Sequence, residues 1–137
     1  MKYVFDSSFI GAFVLPDEKS IIVDKTYSAI TNDDEIFIPQ LLWYEISNIL
    51  KNLLRRKRFT LNEIMEFYPS IVAILFITDS ETGVEYSKKL LHLCNEYNLS
   101  SYDAAYLELA DRKKAILCTL DENLRAAAKK HGVTVIK

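Results

Sequence analysis

The chain has 137 residues, half of them hydrophobic, and a formal net charge of −2. That length implies one domain, residues 1–137, able to bury roughly 68–70% of its unfolded surface, and the apolar content excludes a disordered chain. The near-neutral charge neither demands nor excludes nucleic acid, so any basic contact surface must be local.

Tyr3-Val4-Phe5 reads as a short buried strand, with Asp6 at its end. A helix follows over Ser7 to Leu15 and stops at Pro16, and a second spans Glu18 to Ile30. Ile36-Phe37-Ile38 reads as a strand closed by Pro39. A long helix over Gln40 to Lys57 carries Leu42, Ile46, Ile49 and Leu53 as its core stripe. A further helical stretch opens at Leu61 behind the cap Thr60, and Pro69 breaks or kinks it. The apolar run predicts a third strand over Ala73 to Ile77. Glu81 to Tyr97 is helical, with Val84, Leu90, Leu91 and Leu93 as apolar positions, and Ser101 to Lys113 is another helix. Ile116-Leu117-Cys118 is a strand, Glu122 to His131 a helix ended by Gly132, and Val133 to Ile136 a final strand. Strands alternating with helices imply a three-layer α/β/α fold around a parallel sheet of four or five strands.

Four acids fall where such a fold brings side chains to one sheet edge. Asp6 and Asp121 follow strands, Asp103 opens a helix, and Glu45 sits in an otherwise apolar helix. Each aspartate also has a local explanation. Asp6 and Asp121 can cap helices, and Asp103 follows Ser100 at capping-box spacing. Capping does not exclude a role at the crevice outside the strand ends. Glu45 shares a helical stripe with Asn48 and Asn52 beside the apolar face, and no basic residue stands four positions away to pair with it. Converging carboxylates repel one another, and a divalent cation relieves that repulsion. All-oxygen ligands suit Mg²⁺ or Mn²⁺, and such a cluster suits phosphodiester hydrolysis.

Ser7, Ser8 and Thr119 adjoin the acids and either orient them or serve as caps and strand residues. Asn48 and Asn123 are candidates for contact with phosphate or water. Arg55-Arg56-Lys57-Arg58 is a strongly basic run at a helix end. It suits either the helix dipole or an RNA phosphate backbone. Tyr44, Tyr102 and Tyr106 lie near the acids in sequence and offer rings for stacking on bases, or for the core. Cys94 and Cys118 form no CxxC motif, which suits a reducing compartment. The N-terminus reaches an acid at position 6 and the longest apolar run spans Ile71 to Ile77, so neither a signal peptide nor a membrane span is expected. A cytoplasmic protein is the expectation.

Together DSSFIGAF after the first strand, WYEISNIL, LSSYDAAYLELA and CTLDENL resemble the PIN-domain nucleases of the VapC toxin type, across essentially the whole chain. The resemblance implies that Asp6, Glu45, Asp103 and Asp121 are the catalytic and metal-binding quartet, with Thr119 as the polar residue before the last acid. It also implies Mg²⁺ or Mn²⁺, cleavage of RNA, a homodimer and a small antitoxin partner. Many relatives carry a further acid where Asn123 stands, which weighs against a second firmly held metal. Two competitors share the fold class. One is a non-catalytic RNA-binding or assembly module. The other is a receiver-like signalling domain, which wants paired acids after the first strand and a lysine after the last. Here Ser7 and Ser8 follow Asp6, and Lys137 is terminal.

Overall fold

A computed structural model describes residues 1–136; Lys137, relevant to the receiver reading, lies outside them. Four strands, β1 (Lys2–Phe5), β2 (Glu35–Pro39), β3 (Ile77–Asp79) and β4 (Ile116–Cys118), form one sheet in the order β3-β2-β1-β4. All pairings are parallel, with Val4 opposite Phe37 and Leu117. The central strand β1 buries Tyr3, Val4 and Phe5, as expected of a strand covered on both faces.

Helices α1 (Ser7–Val14), α2 (Ile21–Ser28), α3 (Leu41–Arg55), α4 (Leu61–Met65) and α5 (Tyr68–Val72) follow the first two strands. Helices α6 (Val84–Tyr97), α7 (Ser101–Lys113) and α8 (Glu122–His131) make up the rest. Helix α1 packs against α2, α3 and α5, while α7 lies on β1, β2 and β4 between α6 and α8. The result is the expected three-layer α/β/α arrangement with a four-stranded parallel sheet.

The structure departs from the sequence reading at several points, and α2 and α6 are also shorter than expected. The third strand is Ile77–Asp79, not Ala73 to Ile77. The helical stretch from Leu61 does break before Pro69, ending at Met65, and Pro69 falls in the first turn of α5, with Ile71 and Ile74 buried at helical spacing. The chain then turns through a left-handed Leu75 before pairing Ile77 with Phe37. The expected final strand, Val133 to Ile136, is reduced to one bridge between Leu117 and Val135. In α3 the fully buried stripe is Leu42, Ile46, Leu50 and Leu53, and Ile49 is half-buried. In α6 only Leu93 is buried, while Val84 and Leu91 face outward. Among the described residues no helix is long and apolar enough to cross a membrane.

Candidate active site

Strand β1 and helix α1 meet at Asp6, whose carboxylate caps the helix by accepting from Phe9 N at 2.9 Å. Ser8 Oγ donates to the same oxygen at 2.7 Å, and Thr119 Oγ1, just beyond β4, donates to the other. Ser8 and Thr119 are in turn fixed by the backbone amides of Leu120 and Asp121. Two adjacent parallel strand ends are thereby laced together around one buried carboxylate, 4% exposed. Burial pushes the Asp6 pKa up to about 6, against the pull of the Thr119, Phe9 and Ser8 hydrogen bonds, and nearby Glu45 adds to the rise.

Glu45 projects from the second turn of α3 and is half-buried. Ser7 Oγ donates to its Oε2 at 2.9 Å, and the phenol of Tyr106 donates to its Oε1 at 2.8 Å. Asp103 lies in the first turn of α7, where its amide donates to the capping Ser100. Its pKa is raised by burial and by the charge of Asp121. Asp121 caps α8 through a 2.8 Å bond from Leu124 N and is exposed.

The capping readings of Asp6 and Asp121 therefore hold. Toward the carboxyl end of the sheet, Glu45 bears on the charge of Asp6 and Asp121 on that of Asp103, so the acids fall into two neighbouring pairs. Among the described residues no three acidic, histidine or cysteine side chains stand close enough to share one ion. The donor chemistry nonetheless fits a hard divalent cation. Every candidate ligand is a carboxylate oxygen, and a cation would relieve the cost of ionising the buried Asp6.

The PIN domain family matches residues 3–130. The chain belongs to the PIN-domain family. Ribonuclease VapC3 of Pyrobaculum aerophilum is 30% identical to it over 90% of this chain and 92% of that protein. PAE2754 of Pyrobaculum aerophilum shares the fold with a TM-score of 0.70 at 22% identity, over 99% of this chain and 92% of its own. VapC20 of Mycobacterium tuberculosis, a sarcin-ricin loop cleaving toxin, matches with a TM-score of 0.65 at 11% identity, over 91% of this chain and 94% of its own.

Within this PIN domain, Tyr106 has a role the sequence reading did not give it. It is 1% exposed, so its ring belongs to the core and is not open to bases. Its phenol pKa is raised by burial and by the charges of Glu45, Asp6 and Asp103, which places that hydroxyl among three of the acids. The available signal was its position one helical turn after Asp103, on the same face of α7. A cavity of about 510 Å³ opens beside Glu45, lined among others by Ser7, Tyr44, Asn48, Asn52 and Tyr102. Asn123 is exposed on the first turn of α8. Of the basic run, Arg58 is ion-paired with Asp17, while Arg55, Arg56 and Lys57 are exposed.

Proposed function

We propose that this PIN domain is a metal-dependent endoribonuclease that hydrolyses RNA phosphodiester bonds, and that it is the toxin of a toxin–antitoxin pair. The observation that carries the reading is the Glu45 carboxylate. It is held by Ser7 and Tyr106 beside the buried Asp6, with Asp103 near the same phenol. The 30% identity to a ribonuclease supports the reaction class.

In this reading Asp6, Glu45, Asp103 and Asp121 hold Mg²⁺ or Mn²⁺. The ion supplies a lowered water pKa and offsets charge on the reacting phosphodiester. The protein's part is to fix the ligands beforehand. Ser8, Thr119 and Phe9 N hold Asp6, and Ser7 and Tyr106 hold Glu45, so these two carboxylates are oriented beforehand, and Asp103 and Asp121 would close on the ion as it binds. In-line hydrolysis leaves a 5′-phosphate and a 3′-hydroxyl. Arg55, Arg56 and Lys57 offer charge to the RNA backbone.

A homodimer and a small antitoxin are part of the proposal, as is a cytoplasmic location. The exposed apolar residues Ile21 on α2 and Leu61 and Met65 on α4 are candidates for those protein contacts.

The test is incubation of a mixed cellular RNA pool with Mn²⁺, with EDTA, and with the Asp103→Asn variant. Discrete fragments that vanish in both controls support the nuclease. Intact RNA in every lane, from protein shown to be free of bound inhibitor, favours the non-catalytic RNA-binding module.

A further inference from the structure

The cavity beside Glu45 has features that holding an ion does not require. Its α3 side is a stripe at helical spacing, Tyr44, Asn48 and Asn52, and Tyr102 of α7 lines it too. Tyr44 is 76% exposed and Tyr102 63% exposed. Among the described residues neither ring packs on another aromatic, although Trp43, next to Tyr44, packs on Phe76. Tyrosine usually buries its ring and keeps its hydroxyl wet, so two bare rings on one cavity are two uncovered stacking surfaces. The side-chain amides of Asn48 and Asn52 make no hydrogen bond among the described residues, and each carries donors and an acceptor. A volume of about 510 Å³ lies in the range of clefts that take small molecules.

Charge narrows the occupant. Glu45 lines one end of the cavity, where the nuclease reading puts the ion and the reacting phosphodiester, and the rest of the lining carries no cation for a second phosphate. The positive charge lies at Arg55 and Arg56, one turn beyond Asn52 at the end of α3. A flat neutral group with a hydrogen-bonding edge fits the cavity, and an anionic backbone fits the end of the helix. An unpaired nucleotide has both parts. A base in an A-form duplex offers neither a free face nor an open pairing edge.

We propose that this cavity is a nucleobase subsite. One unpaired base of an RNA strand stacks on the Tyr44 and Tyr102 rings and presents its edge to Asn48 and Asn52. The flanking backbone runs along α3 toward Arg55 and Arg56. The substrate class rests on the nuclease reading of the adjoining carboxylates.

The test is fluorescence anisotropy of a short labelled RNA with the full chain in EDTA, single-stranded or annealed to its complement, together with cleavage rates in Mn²⁺. Tyr44→Ala and Tyr102→Ala should each weaken single-strand binding about 5- to 100-fold. Each should raise KM in proportion and change kcat less than about threefold. Tyr44→Phe and Tyr102→Phe should restore binding, and the duplex should bind weakly and equally to all variants. Asn48→Ala with Asn52→Ala should alter the order of preference among the four homopolymers. Both tyrosines are exposed, so unchanged circular dichroism and Tm are expected of their variants. Wild-type affinity in both alanine variants, with cleavage in Mn²⁺ intact, overturns the subsite and leaves the nuclease standing. Tyrosine-dependent binding without cleavage keeps the subsite and refutes the nuclease. Alanine variants that keep RNA affinity but lose a bound protein inhibitor assign the cavity to protein and overturn the proposal.

Discussion

The phenol of Tyr106 donates a 2.8 Å hydrogen bond to Glu45 Oε1 across 61 positions of sequence, tying α7 to α3 at the candidate active site. With Ser7 on the other oxygen, it fixes a half-buried carboxylate that has no basic partner among the described residues. Tyr106→Phe keeps the buried ring and removes the donor. A hydrogen bond to a charged group contributes about 1.5–3 kcal/mol, and the remaining Ser7 bond places the expected loss near the lower end. Mn²⁺ affinity should fall about 10-fold, since the phenol acts as a positioning residue for Glu45. Tyr106→Ala should cost about 3–5 kcal/mol because it opens a cavity in the core. Urea unfolding and Mn²⁺ titration of the two variants separate positioning from packing. Wild-type Mn²⁺ affinity in Tyr106→Phe would remove the positioning role.

Asp6 sets the expected pH dependence. Its pKa rises from 3.8 unfolded to about 6 folded, chiefly through burial. Between those values the folded chain keeps a proton that the unfolded chain has lost. Metal-free stability therefore falls as pH rises from about 4 to about 6, by at most ~3 kcal/mol. The raised pKa of Asp103 acts in the same direction. The lowered carboxylates Asp34, Asp79 and Asp111 act oppositely, with stability lost as pH falls below about 4. In EDTA, Asp6→Asn should flatten the decline between pH 4 and 6 and stabilise the chain at pH 7. A slope equal to that of the wild type would contradict the assignment. Mn²⁺ affinity should rise with pH through about 6, because the ion displaces the Asp6 proton.

Much of this site was legible in the sequence, for identifiable reasons. Asp6 and Asp121 stand directly after strand-forming runs and before helices, so a local rule places each at the carboxyl edge of a parallel sheet. Glu45 stood out because burial without a basic partner is costly. The misreadings came from tertiary context. Ile71 to Ile77 is apolar throughout, and composition alone does not separate a buried helix end from a strand. The tail at Val133 to Ile136 has strand composition but pairs only at Val135. Tyr106 could not be distinguished from Tyr102 by composition, yet one is buried and the other open. No local pattern links Asp79 to Arg112, 33 positions away.

That last pair supports a prediction remote from the active site. Arg112 holds Asp79 with two hydrogen bonds, at 3.1 and 2.7 Å, and bonds buried Glu108 one turn earlier on α7. Removing the guanidinium would leave two largely buried carboxylates facing each other. Arg112→Ala should therefore cost about 3 kcal/mol, within the range for a broken buried pair. Arg112→Lys should recover only part of this, since an ammonium cannot reproduce the fork. Turnover per folded molecule should be unchanged, because Arg112 lies outside the acidic site and its cavity. Chemical denaturation and single-turnover cleavage at a temperature well below Tm check both halves.

The most direct test of the account is a Mn²⁺ titration followed by electron paramagnetic resonance on the wild type and on Asp6→Asn, Glu45→Gln, Asp103→Asn and Asp121→Asn. One site built from both acid pairs predicts that each substitution weakens Mn²⁺ binding at least about 10-fold, whichever pair it belongs to. Binding that survives intact in both variants of either pair would contradict a shared metal centre, and with it the proposed mechanism.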